Sequence, residues 1–147
     1  MDDLHRQACV SEILQIWKQT EEVYRPPSVW IAEHWPVAPA DAEHDYPSPV
    51  TNAWLLNDRG VEKRHPQEYI RFMTVQLGLH WAWGRPPRGI FHNTGSHPIG
   101  LAGFVRIAGT DLIALHFIWG GLFGRGSHYR YDPANNALEC VVNIWIS

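Results

Sequence analysis

Three residues near the C-terminal end of the chain, His116, Arg125 and Glu139, have the types that carry proton-transfer chemistry. Ser127, Tyr129, Asn143 and Trp145 are interleaved with them. An imidazole moves protons near neutral pH, and a guanidinium clamps a carboxylate or enolate. A carboxylate orients the imidazole, while tyrosine, serine and asparagine supply the hydrogen bonds that fix a ligand. The roles expected are therefore His116 as acid and base, Arg125 as anion clamp and Glu139 as orienter. Tyr129, Asn143, Trp145 and Ser127 would hold the ligand. The bland alternative is that Arg125 and Glu139 pair with each other and His116 bonds a tyrosine.

These residues form one set only if the strands that carry them bring them to one face. The last third of the chain reads as four consecutive strands, 99–107, 111–119, 122–131 and 137–146. They are separated by Ala108-Gly109-Thr110, Gly120-Gly121 and Asp132-Pro133-Ala134-Asn135-Asn136. Gly-Gly between apolar runs is a two-residue hairpin signal, and Asp-Pro and Asn-Asn form turns. A two-residue turn at Gly120-Gly121 predicts that Trp119 opposes Leu122, Phe117 opposes Gly124 and His116 opposes Arg125. Directly opposed residues share a face. One face then reads Ile113, Leu115, Phe117 and Trp119 with Gly124, Gly126, Leu138, Cys140, Val142, Ile144 and Ile146, a core face. The other carries the polar set among apolar neighbours, the composition of a ligand pocket.

Other clusters carry weaker chemistry. His80, His92 and His97 flank the turn at 85–89, but their spacing matches no established metal motif, so no metal or cofactor is expected. His34 and His44 have no spacing that demands a metal either. Trp35, Tyr46, Trp81 and Trp83 offer stacking surfaces, with only Arg85 and Arg88 as nearby positive charge. The run Gly120-Gly121-Leu122-Phe123-Gly124-Arg125-Gly126 lacks the helix and the Lys-Ser/Thr of a phosphate loop. No G-x-S-x-G elbow occurs, and neither cysteine has a catalytic signature.

Upstream, residues 3–24 show a helical stripe of Cys9, Ile13, Ile16, Trp17, Thr20 and Tyr24, capped by Asp2 or Asp3 and stopped by Pro26-Pro27. Short strands are expected at 29–35 and 51–56, the second closed by the turn Asn57-Asp58-Arg59-Gly60. The segment 36–49 holds four prolines with acidic and small residues and reads as a long loop. His65-Pro66-Gln67-Glu68 has the look of a helix start. The alternation of Met73, Val75, Leu77, Leu79, Trp81 and Trp83 outweighs it, so a strand is expected from Tyr69 to Trp83, with a short strand at 90–93.

A chain of 147 residues with 45% hydrophobic and 18% charged residues is long and apolar enough for one self-sufficient domain spanning 1–147. A net charge of −3 without a basic block argues against nucleic acid as partner. No secretory signal or membrane-length apolar run is present, so a cytoplasmic location is expected. Eight Trp mostly fill the core. Cys9 and Cys140 both fall on apolar positions and read as buried free thiols.

The fold expected is α+β: an N-terminal helix packed on a strongly curved, mainly antiparallel sheet of about six strands, a cone or partial barrel that ends in a four-strand meander. The function expected is a small-molecule pocket protein, which binds a ligand or catalyses isomerisation, dehydration or cyclisation. The alternative is a protein-interaction module, such as a neutralising partner of another protein. It would use the acidic Pro-rich loop 36–49 and exposed aromatics.

Overall fold

The computed structural model describes residues 1–39, 50–73, 99–119 and 123–146. Helix α1 (Asp3–Gln19) opens where Asp2 accepts the His5 N–H in its side chain, at 2.9 Å. It ends at Thr20, short of the prolines, because Arg25 reaches back to the carbonyls of Lys18 and Thr20. The strands are β1 (Ser28–His34), β2 (Val50–Asn57), β3 (Gly60–Arg64), β4 (Ile99–Arg106), β5 (Leu112–Trp119), β6 (Phe123–Asp132) and β7 (Ala137–Ile146). A second, short helix, α2 (Pro66–Arg71), lies between β3 and β4.

The seven strands form one open mixed sheet in the order β3-β2-β1-β4-β5-β6-β7. Every neighbouring pair is antiparallel except β1 and β4. This is the expected α+β architecture, and β4 to β7 form the expected meander. Beyond β1, a parallel bridge between Val37 and Ile107 holds the chain against the end of β4.

Two expectations fail upstream. Pro66–Arg71 is helical, so the Pro-led start prevails over the alternation that follows it. The His65 side chain accepts the Gln67 N–H at 3.1 Å, and Pro66 supplies the preset φ of a first helical position. The rest of the strand expected up to Trp83, and that at 90–93, lie outside the described residues. Strand β3, Gly-Val-Glu-Lys-Arg, was not expected. It is polar because it is a sheet edge with a mostly exposed pattern, which erases the apolar signal of a strand.

Helix α1 covers one face of the sheet, here the helix face. Cys9, Ile13, Ile16 and Trp17 pack there on Val29, Ile31, Trp54, Leu56, Phe104, Leu115, Phe117 and Trp119. The Trp17 indole donates to the Pro26 carbonyl at 2.7 Å, so its polar atom is satisfied within the core. The far face is buried too. Trp30, Ala32, Leu101 and Ile118 pack there with Tyr69 and Met73. Cys9 is buried, as expected. Cys140 is exposed, because β7 is the other sheet edge, and the two thiols are free. No described helix is long and apolar enough to cross a membrane.

Candidate functional site

The register of β5 against β6 decides which side chains can meet. Pairing runs Trp119↔Phe123, Phe117↔Arg125, His116↔Gly126, Leu115↔Ser127 and Ile113↔Tyr129. Three residues, 120–122, separate the paired ends, where the sequence reading took two. A one-residue slip sends every side chain of a strand to the other face. Arg125, Ser127 and Tyr129 therefore lie on the helix face with Phe117. His116 lies on the far face with Gly126. The concave site expected to combine His116 with Arg125 does not form, and Gly124 and Gly126 do not sit under α1.

On the far face His116 is 4% exposed and His34, from β1, is 3% exposed. Their rings stack with centroids 6.1 Å apart. Between them runs Gly103 of β4, paired with His116. A Cβ there would lie 2.8 Å from His116 Cε1 and 3.0 Å from His34 Nε2, so only glycine leaves room for both rings. Burial pushes the His116 imidazole down to about 4, which keeps it neutral at physiological pH. His128 of β6 is buried on this face as well, paired with Val142.

On the helix face, Tyr129 is 2% exposed and its hydroxyl is pushed up to about 12, first by burial and then by the nearby Glu12 carboxylate. The Arg125 guanidinium stands over the Phe117 ring at 5.4 Å and donates to the Tyr129 hydroxyl at 3.5 Å. Glu12 of α1 completes this seam. Burial raises its carboxyl, opposed by the charge of Arg125 and a hydrogen bond with Tyr129. The Ser127 hydroxyl donates to Asn143 Oδ1 at 2.7 Å. Asn143 reaches this face because β7 carries an extra residue on each side of it, Val141 and Ile144. Arg125, of the expected catalytic set, and Ser127, Tyr129 and Asn143, of the expected ligand-binding set, are thus brought together. Their carboxylate partner is Glu12 and not Glu139, which is exposed, pairs in register with Arg130 and belongs to the opposite face. Trp145 pairs through its backbone with Gly126, and its side chain is not among the described groups.

A third polar centre was not anticipated. Glu33, buried at the end of β1, accepts hydrogen bonds on its carboxylate from Arg6 Nε at 2.9 and 3.1 Å, Thr51 Oγ1 at 3.1 Å and Asn52 Nδ2 at 2.5 Å. Both partners of this ion pair sit in phase with buried stripes. Glu33 follows Val29 and Ile31 at spacing two, and Arg6 precedes Cys9 and Ile13 at helical spacing. That phase is the signal that could have found them. The carboxylate rims a cleft of about 520 Å³ together with Arg6, Thr51, His34, Trp35 and Arg106. A second cleft, of about 490 Å³, adjoins it at the same sheet end, next to His5 and Tyr131. The described residues hold no group of three or more His, Cys, Asp or Glu able to bind one metal ion. His80, His92 and His97 lie outside them, as do Tyr46, Trp81 and Trp83.

No family model, curated protein or solved structure matches this chain.

Proposed function

We propose that the chain is a protein-interaction module whose docking surface is centred on β7. The observation that carries this reading is the contrast between the two sheet edges. Strand β3 is short, and three of its five residues are charged, which discourages pairing with another chain. Strand β7 has ten residues and one charge, Glu139. Val141, Val142 and Ile146 are 47%, 46% and 67% exposed. Three of the seven large apolar side chains exposed among the described residues thus fall within six positions of one strand. Apolar side chains left exposed on both faces of a sheet edge are suited to burial against a partner that clasps that edge.

The two bulges of β7 also favour a bounded complex. Each interrupts the outward row of backbone donors and acceptors, which limits strand addition to short segments and discourages open-ended sheet growth. The partner that fits is a protein presenting a short extended segment with apolar side chains. A catalytic reading that joins His116 to Arg125 loses its support, since the two occupy opposite faces.

The test compares the wild-type chain with the Val141→Lys/Val142→Lys variant as baits. A protein retained by the first and lost by the second is purified and its affinity for both measured. A loss of affinity of about tenfold or more supports the reading, since each lysine places a charge in an apolar contact. Retention of the same proteins by both baits refutes it. Sedimentation of the chain alone reveals a second copy as partner, with self-association abolished by the same substitutions.

A further inference from the structure

We infer that the cleft at the shared end of β1 and β4 is a binding site for a small planar organic anion, an aromatic carboxylate. It lies at the ends of two central strands, with β5 and β6 between them and β7's apolar edge, and does not depend on the docking surface proposed there.

The cleft opens at the C-terminal ends of the parallel pair β1 and β4. Its volume of about 520 Å³ falls within the range that takes a ligand of one or two rings, roughly 300–1,000 Å³. Trp35 supplies the apolar wall. This indole is 56% exposed, yet its backbone is fixed on both sides. His34 before it is the last residue of β1. Val37 after it donates to the Arg106 carbonyl at 3.2 Å and accepts from the Ala108 N–H at 2.8 Å. A large ring on an anchored backbone at the surface of a cleft is a ready stacking platform, because little backbone freedom is lost when a ligand covers it.

The charge of the cleft selects an anion. Glu33 is its only lining carboxylate among the described residues. It already accepts four hydrogen bonds from Arg6, Thr51 and Asn52, so its lone pairs are occupied. What it does instead is hold Arg6. The Arg6 Nε faces Glu33 and its Nη1 donates to Asp3 at 3.0 Å, which fixes the plane of the guanidinium. No described group accepts from its Nη2. Arg106, exposed at the end of β4, is the second guanidinium and forms no ion pair among the described residues. With Arg6 shared between Glu33 and Asp3, the uncommitted positive charge of the cleft is Arg106. A carboxylate between the guanidinium groups and a ring on Trp35 would satisfy both features. The start of α1 adds nothing to this, since Asp2 already caps it.

The test is calorimetric titration of the full chain at low ionic strength with phenylacetate, with acetate and phenylacetamide as controls that lack the ring or the charge. Saturable binding of phenylacetate is expected, with each control weaker by about tenfold or more. Arg106→Gln and Trp35→Ala should each weaken phenylacetate by about tenfold, while Trp35→Phe retains most of the affinity. Both residues are exposed, so urea midpoints equal to wild type will show that the variants fold. No saturable phenylacetate binding overturns the inference. So does phenylacetamide binding as tightly as phenylacetate, or wild-type affinity in the folded Arg106 and Trp35 variants.

Discussion

The buried imidazole of His116 makes the stability of this chain depend on pH with a sign and size that can be worked out. Its ordinary value is 6.5 and burial lowers it to about 4. The unfolded chain therefore binds the proton more readily than the folded chain between those values. Stability rises with pH wherever the unfolded state holds more protons, so it is lost as the pH falls below 6.5. At about pH 5 protonation favours the unfolded state roughly 30-fold, which is about 2 kcal/mol. Below about pH 4 the full loss is about 3 kcal/mol. Against a typical total stability of about 5–15 kcal/mol, that is a readily measured share.

The assay is urea unfolding of the wild type and of His116→Gln at about pH 7.5 and about pH 5, with stability taken from the linear extrapolation. The wild type should lose about 2 kcal/mol more than the variant between the two conditions. Glu12 works in the other direction. Burial raises its carboxyl, so the folded state holds that proton more tightly and gains stability on acidification. Both chains contain Glu12, so the difference between them removes its contribution. Parallel losses in the two proteins, or a His116 resonance, assigned by its absence from the variant, that titrates near 6.5 in the folded wild type, would refute the claim that His116 is held neutral by burial.

Two further substitutions test the packing around the polar centres. Gly103→Ala pushes a methyl group into the space shared by the His116 and His34 rings, and should cost about 1–3 kcal/mol in urea unfolding. Arg6→Met leaves the Glu33 carboxylate, 5% exposed, with Thr51 and Asn52 but no cation. The expected loss is about 3 kcal/mol, and Glu33→Gln added to it should restore part.

Local patterns were legible in the sequence where one residue type dominated the physics. The N-cap at Asp2, the Asn57–Gly60 turn and the four-strand meander all follow from side chains that act on their own backbone or from long apolar alternations. Gly60, with a φ of 123°, is needed where β3 departs from that turn. Two kinds of feature were not legible. One is competition between signals of similar strength, as at Pro66, where a strong local cap defeated a longer alternation. The other is anything set by parity across a loop. The faces of β5 were read correctly, with Leu115 and Phe117 under the helix and His116 beyond it. Those of β6 were inverted, because the residue count at Gly120–Leu122 differs by one between two plausible turns. The candidate site inherited that inversion whole. Arg125, Ser127, Tyr129 and Asn143 stayed together, since they share two strands. His116 and Glu139 were lost from it, since they lie across the misjudged turn and across the bulges of β7.

That dependence can be tested with a single deletion. In the observed pairing Trp119 opposes Phe123, and residues 120–122 lie between. Removing Leu122 leaves Gly120-Gly121 between the same two partners, a sequence suited to a two-residue hairpin turn. Every pairing from Phe117↔Arg125 to Leu112↔Arg130 can persist, with Tyr129 still under α1 and His116 still beside Gly126. The expected change in stability is within about 1 kcal/mol. Had Leu122 opposed Trp119, the same deletion would invert β6. It would carry Arg125 and Tyr129 from the face of His116 to the helix face, and Gly124, Gly126 and His128 the other way. A strand packed on both faces does not exchange all its side chains between them without a large change in stability. A deletion variant whose stability shifts by well over about 1 kcal/mol, or in which the surroundings of Arg125 and Tyr129 change, would therefore mean that the two faces are assigned the wrong way round. The separation of His116 from Arg125 would go with them.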